Sequence, residues 1–110
     1  MVTPTVVVDA RNVLRSRWPN IPEQELVDLS REWAERNGLE VLLVFDGDAP
    51  EQADDVVGTG RESADDWIAR EALLYAPYWL VTSDRELRRR AGTGAERVIG
   101  GGSFAGELTR

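Results

Sequence analysis

The sequence predicts an α/β domain in which helices cover both faces of a mainly parallel sheet of about five strands. Apolar runs of strand length alternate along the chain with segments whose apolar residues recur at helical spacing. Several strand-like runs are continuously apolar, which is typical of strands covered on both faces. The length of 110 residues suits one domain, residues 1–110, and the alternation implies right-handed crossovers between parallel strands.

The first half of the chain supplies two strands and a helix between them. Residues 5–8 (TVVV) form a β-branched run that is typical of a buried strand. A helix is predicted to begin at Pro22, with glutamates in its first turn, and to stop at Asn37-Gly38. Residues 39–45 (LEVLLVF) then predict a second buried strand.

The second half continues the alternation with shorter elements. Ser63 is a typical helix-capping residue, and Pro77 ends the helix that Ser63 starts. The glycine-rich stretches at 58–60 (GTG) and 100–102 (GGG) match no phosphate-binding fingerprint and are interpreted as turns. The predicted strands are residues 55–59, 78–82 and 97–99, and the predicted helices are residues 64–75, 85–91 and 104–108.

The residue types that are missing exclude several kinds of catalysis. Without cysteine or histidine the chain has no disulfide, no thiol nucleophile, no Ser-His-Asp triad and no imidazole zinc site. All 13 basic residues are arginine, so a P-loop lysine and a lysine Schiff base are also excluded. Carboxylates, hydroxyls and arginines remain available for chemistry.

The charge of the chain limits its partners. A formal net charge of −7 argues against nucleic-acid binding through the overall field, so such binding needs a local basic surface or bound cations. No apolar run approaches the roughly 20 residues of a membrane span. The first residues show no basic segment before an apolar stretch, and we therefore expect a cytoplasmic protein without a membrane partner.

Aspartates follow the predicted strands at the edge where parallel sheets bind ligands. Asp9, Asp46 and Asp84 come at or just after strand ends, and Asp65 and Asp66 open the helix after the third predicted strand. Carboxylates gathered there repel one another, and a hard cation such as Mg²⁺ or Mn²⁺ removes that cost. The pattern predicts a metal site suited to phosphodiester chemistry. For each aspartate taken singly, a helix cap or a turn residue is the open alternative.

Four segments resemble, in order, the motifs of one family. They are residues 8–14 (VDARNVL), 44–47 (VFDG), 61–68 (RESADDWI) and 81–87 (VTSDREL). Together they are similar to the NYN domains, the PIN-like ribonucleases that include the bacterial YacP-like group. The resemblance implies a PIN-like three-layer sandwich whose first strand is central with the fourth strand beside it. It also implies RNA cleavage with Mg²⁺ or Mn²⁺ held by acidic residues.

The resemblance also assigns residue roles, with Asn12 expected to position a ligand or a metal-bound water. Asp65 and Asp66 point about 100° apart on a helix. Asp65 shares the apolar face and is expected to be a direct ligand, whereas Asp66 leans towards solvent and assists. Asp46 is added as a supporting acid. The predicted catalytic residues are Asp9, Asn12, Asp65, Asp66 and Asp84, and the predicted metal ligands are Asp9, Asp46, Asp65 and Asp84.

Arginines and tryptophans are the candidates for nucleic-acid contacts. Two groups of arginines lie near the predicted edge, one after the first strand and one on a single face of the helix at 85–91. Guanidinium groups bind phosphate through paired hydrogen bonds, although solvated helix faces and ion pairs with the acids are the open alternative. Trp18 and Trp67 are candidates for stacking on bases, whereas Trp33 and Trp79 are interpreted as core. The predicted nucleic-acid contacts are Arg11, Arg15, Arg85, Arg88 and Arg89.

The sequence as a whole predicts a Mg²⁺- or Mn²⁺-dependent ribonuclease that hydrolyses RNA with a metal-activated water. DNA is not excluded as a substrate, and a homodimer is left open. A non-catalytic PIN-like module that binds nucleic acid or protein is the first alternative. An aspartate-based phosphatase is the second, because Asp46-Gly47-Asp48 has the form of a DxD pair.

Overall fold

The structure is a computed structural model that describes residues 2–110. Within that range the chain forms strands and helices in mixed order, and no helix is both long enough and apolar enough to cross a membrane. The strands are β1 (Thr5–Asp9), β2 (Glu40–Phe45), β3 (Val56–Gly58), β4 (Tyr78–Val81) and β5 (Arg97–Ile99). The helices are α1 (Ala10–Arg15), α2 (Glu23–Arg36), α3 (Ala64–Glu71), α4 (Arg85–Ala91) and α5 (Gly101–Leu108), and a 3-10 helix (Ala72–Tyr75) continues α3.

The five strands form one parallel sheet in the order β3-β2-β1-β4-β5. β1 is central and β4 lies beside it, as the family resemblance implied. The chain adds β2 and β3 on one side of β1 and then β4 and β5 on the other side. The strand order therefore reverses between β1 and β4, and sheets of this kind bind ligands in the crevice at the carboxyl ends of the two strands where the order reverses. The predicted fold class, a PIN-like three-layer α/β sandwich, is confirmed.

Each face of the sheet carries its own apolar core. Val6 and Val8 of β1 belong to the core under α1, α2 and α5, whereas Val7 belongs to the core under α3 and α4. This burial on both faces explains the continuous β-branched run of β1. Trp33 packs edge-to-face on Phe104 with ring centroids 5.1 Å apart, and the prediction that Trp33 lies in the core is confirmed.

Helix α1 follows β1 without a loop and was not predicted from the sequence. The helix has six residues, and this is too short for a repeating apolar pattern to be visible in the sequence. Ala10 and Val13 are its buried residues. They fix the helix against the core, so tertiary packing rather than a local signal stabilises α1.

The interpretation of residues 100–102 as a turn is wrong for Gly101 and Gly102, which are the first residues of α5. Glycine is a poor helix former, but α5 buries Phe104 and Leu108. Packing of an apolar face outweighs intrinsic propensity here, and α5 is therefore longer than the predicted turn at 104–108.

Two further segments differ in detail from the predictions. The helix predicted at 64–75 is α3 followed by the 3-10 helix. Trp79 was interpreted as core but is only partly buried. Its strand β4 has only the short edge strand β5 between it and the end of the sheet. The Arg97 guanidinium of β5 lies 4.6 Å from the centre of the Trp79 ring and covers its exposed side.

Truncation of Phe104 tests whether α5 is part of the folded core. Phe104 is 1% exposed, and we expect Phe104→Ala to lower the free energy of unfolding by about 3–5 kcal/mol, since it removes apolar contacts and leaves a cavity. Urea unfolding followed by circular dichroism measures this. Leu74→Ala is the matched control, because Leu74 is 78% exposed and its truncation should change stability by no more than about 0.5 kcal/mol. Equal effects of the two substitutions would contradict the packing described for α5.

Candidate active site

Acidic side chains border the crevice at the carboxyl ends of β1 and β4. Asp9 ends β1 and precedes α1, Asp46 follows β2, Asp65 lies in the first turn of α3, and Asp84 precedes α4. The parallel topology brings residues far apart in the sequence to this edge. Their charges act on one another, as the pKa shifts of Asp9 and Asp65 show.

Asp9 is the most deeply placed of these carboxylates, with only 3% of its surface exposed. Burial disfavours its charged form and raises its pKa from 3.8 to about 6. A hydrogen bond from the Thr82 hydroxyl opposes the rise, and the charges of Asp65 and Asp46 add to it. The ionised form of Asp9 is therefore a buried negative charge for which the protein supplies little compensation.

Thr82 was not singled out from the sequence, although it lies within the segment VTSDREL. Its side chain is fully buried, and its Oγ1 donates to Asp9 Oδ2 at 2.9 Å. The same oxygen accepts a hydrogen bond from the backbone N–H of Asp84 at 3.1 Å. Thr82 thus links the end of β4 to the carboxylate at the end of β1 and fixes its orientation.

Asp65 and Asp66 occupy different environments although they are adjacent. Asp65 is partly buried, and burial together with the charges of Asp84 and Asp46 raises its pKa. Asp66 is exposed and forms an ion pair with Arg90 at 2.8 Å. This arrangement agrees with the orientation expected from helical geometry. Arg90 was not predicted from the sequence as a site residue. Its positive charge opposes the rise in the pKa of Asp65.

Asp46 and Asp84 each use one carboxylate oxygen to bind a helix start. Asp46 Oδ1 accepts from the backbone N–H of Ala64 at 2.8 Å, and Asp84 Oδ1 accepts from that of Leu87 at 2.8 Å. The capping alternative raised for single aspartates therefore applies to these two residues. Across residues 2–110, Oδ2 of neither side chain has a hydrogen-bond partner. Both side chains can thus support a helix and still present an oxygen for a ligand.

Asn12 locks three segments together beside the acids. Its Oδ1 accepts from the Ser83 backbone N–H at 2.9 Å, and Ser83 Oγ accepts from the Gly101 backbone N–H at 2.9 Å. A Cβ at Gly101 would lie 2.3 Å from Asn12 Oδ1, so only glycine allows this close approach of α5 to α1. Asn12 is therefore positioned by contacts on both sides of its amide oxygen.

The predicted nucleic-acid arginines separate into two groups. Arg11 donates to the Asp46 carbonyl at 3.0 Å and pairs with Glu23 at 3.5 Å, and Arg89 pairs with Glu86 on its own helix. These two are engaged within the protein, because the chain carries more acids than arginines. Arg15, Arg85 and Arg88 form no ion pair with another residue of the described chain, and the Nε of Arg88 donates to the Thr82 carbonyl at 2.9 Å.

The metal ligands predicted from the sequence, Asp9, Asp46, Asp65 and Asp84, stay a prediction. Over residues 2–110, no group of three or more acidic side chains lies close enough together to hold a metal ion. The donors facing the crevice are nevertheless oxygen atoms. They fit a hard cation such as Mg²⁺, which keeps several waters and needs only one or two carboxylates from the protein.

The fold and the crevice define this molecule as a three-layer α/β domain with a five-stranded parallel sheet and acidic residues at the β1/β4 crevice. No protein-family model matches the chain, and no curated protein matches it. Among solved structures it is similar to a mutant of Rae1 (YacP) from Bacillus subtilis, with a TM-score of 0.74 and 22% sequence identity. The similarity covers 96% of this chain and 74% of that one, and it shows a shared fold.

Asp9→Asn tests the electrostatic cost of burying this carboxylate. In EDTA we expect the variant to be more stable than the wild type by roughly 2–3 kcal/mol at pH 8, because asparagine carries no charge to desolvate. The pKa of Asp9 is higher in the folded state, about 6, than its ordinary value of 3.8. The folded protein therefore binds the proton more tightly, and stability is lost as pH rises through that window.

The measurement is urea unfolding of both proteins at intervals from pH 4 to pH 8. The difference should be small near pH 4 and reach its full value above pH 7, while the other acids titrate alike in both proteins. If the variant were less stable than the wild type at pH 8, the ionised Asp9 carboxylate would not carry the desolvation cost described here.

Gly101→Ala tests the close contact between α5 and Asn12. The new Cβ would meet Asn12 Oδ1 at 2.3 Å, and we expect a loss of about 1–3 kcal/mol in the free energy of unfolding from overpacking. Gly102→Ala is the matched control on the same helix, since its nearest contact is Ser16 Cβ at 3.9 Å. The control should leave stability unchanged or raise it by up to about 1 kcal/mol through helix propensity. Thermal unfolding compares the two, and identical shifts would contradict the contact.

Proposed function

We propose that this domain is a ribonuclease that uses Mg²⁺ or Mn²⁺ to hydrolyse phosphodiester bonds with an activated water. The observation that carries the proposal is the placement of Asp9. Its carboxylate is buried at the β1/β4 crevice and faces the charges of Asp65 and Asp46. A buried and uncompensated carboxylate with further carboxylates beside it is costly for stability, and this pattern is typical of sites that bind a cation.

The residues of the crevice divide into ligands and supports. Asp9 and Asp65 would hold the ion, since both lie in the crevice and both have raised pKa values. The free oxygens of Asp46 and Asp84 would bind its water ligands. When bound, the ion would contact a phosphate oxygen and lower the pKa of a bound water. Asn12 would orient a ligand or a bound water.

The choice of RNA as substrate rests on two lines of support. The four sequence segments resemble the NYN ribonucleases, and a solved structure of similar fold is a mutant of Rae1 (YacP), a name that belongs to the group those motifs suggest. The chain has a net charge of −7, so the phosphate backbone must be met by local cations. Arg15, Arg85 and Arg88 are available for that purpose because they are free of ion pairs within residues 2–110.

One observation favours a second candidate, a non-catalytic module that binds nucleic acid through the same arginines. The carboxylates are not drawn together into a ligand shell anywhere in the described chain. The phosphatase alternative has no such support, because the Asp46 carboxylate is used to bind the start of α3 and Asp48 is exposed.

Asp9→Asn distinguishes the two candidates. In Mg²⁺ or Mn²⁺ we expect the wild type to cleave a labelled single-stranded RNA and the variant to fall to the level seen in EDTA, because the substitution removes a ligand charge with little change in volume. Gel electrophoresis of the products measures this. Asp48→Asn is the matched control, since Asp48 is exposed and lies outside the crevice, and it should cleave like the wild type.

Calorimetric titration with Mn²⁺ accompanies the cleavage assay. Full cleavage by Asp9→Asn would overturn the site. A wild type that neither cleaves RNA nor binds Mn²⁺ would support the non-catalytic module instead. A DNA strand of the same sequence, tested in the same assay, shows whether the enzyme distinguishes ribose from deoxyribose.

A further inference from the structure

Trp18 presents an aromatic ring to solvent in the turn that follows α1. It is 89% exposed, whereas Trp33 is 7% exposed. Of the other two tryptophans, Trp67 lies 6.3 Å from the Tyr75 ring and Trp79 is covered by Arg97. Three of the four tryptophans therefore have an intramolecular partner, and Trp18 is the one whose faces are open to water.

The turn that carries Trp18 is held in place by specific hydrogen bonds. The Asn20 amide lies against the carbonyls of Leu14 and Arg17, and with its nitrogen assigned to that side it donates to them at 2.8 Å and 2.6 Å. The guanidinium of Arg17 donates to Thr109 Oγ1 at 2.7 Å, which ties the turn to the residue after α5. The exposure of Trp18 is thus a feature of an anchored turn rather than of a loose loop.

Helix α1 connects this turn to the acidic crevice. The helix begins next to Asp9 and ends at Arg15, and at 1.5 Å per residue it is about 9 Å long. Arg15 is near enough to Asp9 for its charge to oppose the rise in the pKa of that carboxylate. Trp18 follows three residues after Arg15. A path along α1 therefore meets carboxylates, then a cation without an ion pair in residues 2–110, then an aromatic ring.

This order of groups corresponds to the chemistry of an unpaired nucleic-acid strand. Such a strand alternates phosphates, which bind arginine, with flat bases, which stack on aromatic side chains. An apolar pocket of about 140 Å³, lined in part by Leu14, Ile21 and Ala105, lies beside Trp18 and offers a second apolar surface to a base. The bases of a duplex are stacked on one another and are not available for such contact.

We propose that Trp18 is a stacking platform for an unpaired base of the RNA strand whose phosphate is bound by Arg15. This inference rests on the proposed function and adds to it the residue that holds a base of the substrate. It places the strand along α1, with the scissile phosphate at Asp9 and a neighbouring base at Trp18.

The test measures binding separately from cleavage. In the Asp9→Asn background with Mg²⁺, fluorescence anisotropy compares a short labelled oligouridylate with a blunt RNA duplex of the same length. Adding Trp18→Ala should weaken binding of the single strand by about 10-fold, which is the usual size of one base–aromatic contact, and leave duplex binding unchanged. Trp18→Phe keeps an aromatic face and should weaken it by no more than about 3-fold.

Two controls separate stacking from a general loss of apolar surface. Leu74→Ala removes a side chain of similar exposure on the 3-10 helix after α3, and it should bind both RNAs like the parent. Stacking also quenches tryptophan emission, so the parent should lose fluorescence on addition of the oligouridylate. The Trp18→Phe variant should bind without that loss.

Each other outcome overturns the inference in a recognisable way. If Trp18→Ala binds the single strand as tightly as the parent while the wild type still cleaves RNA, the stacking role is wrong and the proposed function stands. If the wild type neither cleaves RNA nor binds it in Mg²⁺, both fall. If the substitution leaves RNA binding unchanged but alters self-association in sedimentation, Trp18 serves a protein contact instead.

Discussion

The hydrogen bond from Thr82 to Asp9 joins the ends of the two strands that border the crevice, and the site depends on it. Asp9 ends the central strand of a sheet covered on both faces, so its carboxylate lies where charge is poorly solvated. Thr82 bonds the carboxylate and also accepts from the backbone of Asp84. The backbone pairing of β1 with β4 sets the register of the two strands, and one buried hydroxyl then connects the carboxylate at the end of β1 to the start of α4.

The structure separates residues that serve the fold alone from residues that can serve the fold and a ligand together. Asp46 and Asp84 stabilise the starts of α3 and α4, and each keeps a second oxygen directed away from those bonds. Asp9 has no such role in capping, and its burial raises its pKa to about 6. The raised pKa and the lack of a capping role distinguish Asp9 from Asp46 and Asp84, and they are the reason for proposing a bound cation beside it.

The arginines show how an acidic protein can retain local positive charge. Arg11 and Arg89 are neutralised by neighbouring acids, and Arg90 is paired with Asp66 at the rim of the crevice. Arg15 lies at the end of α1, between the buried carboxylate and the exposed ring of Trp18. The net charge of −7 therefore says little about the surface along α1, where the local order of groups decides what can bind.

The sequence by itself determined the alternation of strands and helices, the burial of β1 on both faces and the positions of the aspartates, because these depend on local periodicity and on which residues follow each strand. It did not reveal α1 or the full length of α5, since packing of Val13 and Phe104 stabilises those helices against weak local signals. Only the tertiary structure decided the partners within the site. Thr82 and Asp9 are 73 residues apart, and Asp66 and Arg90 are 24 apart. No local pattern encodes a pairing over such distances, which arises only when the sheet has formed.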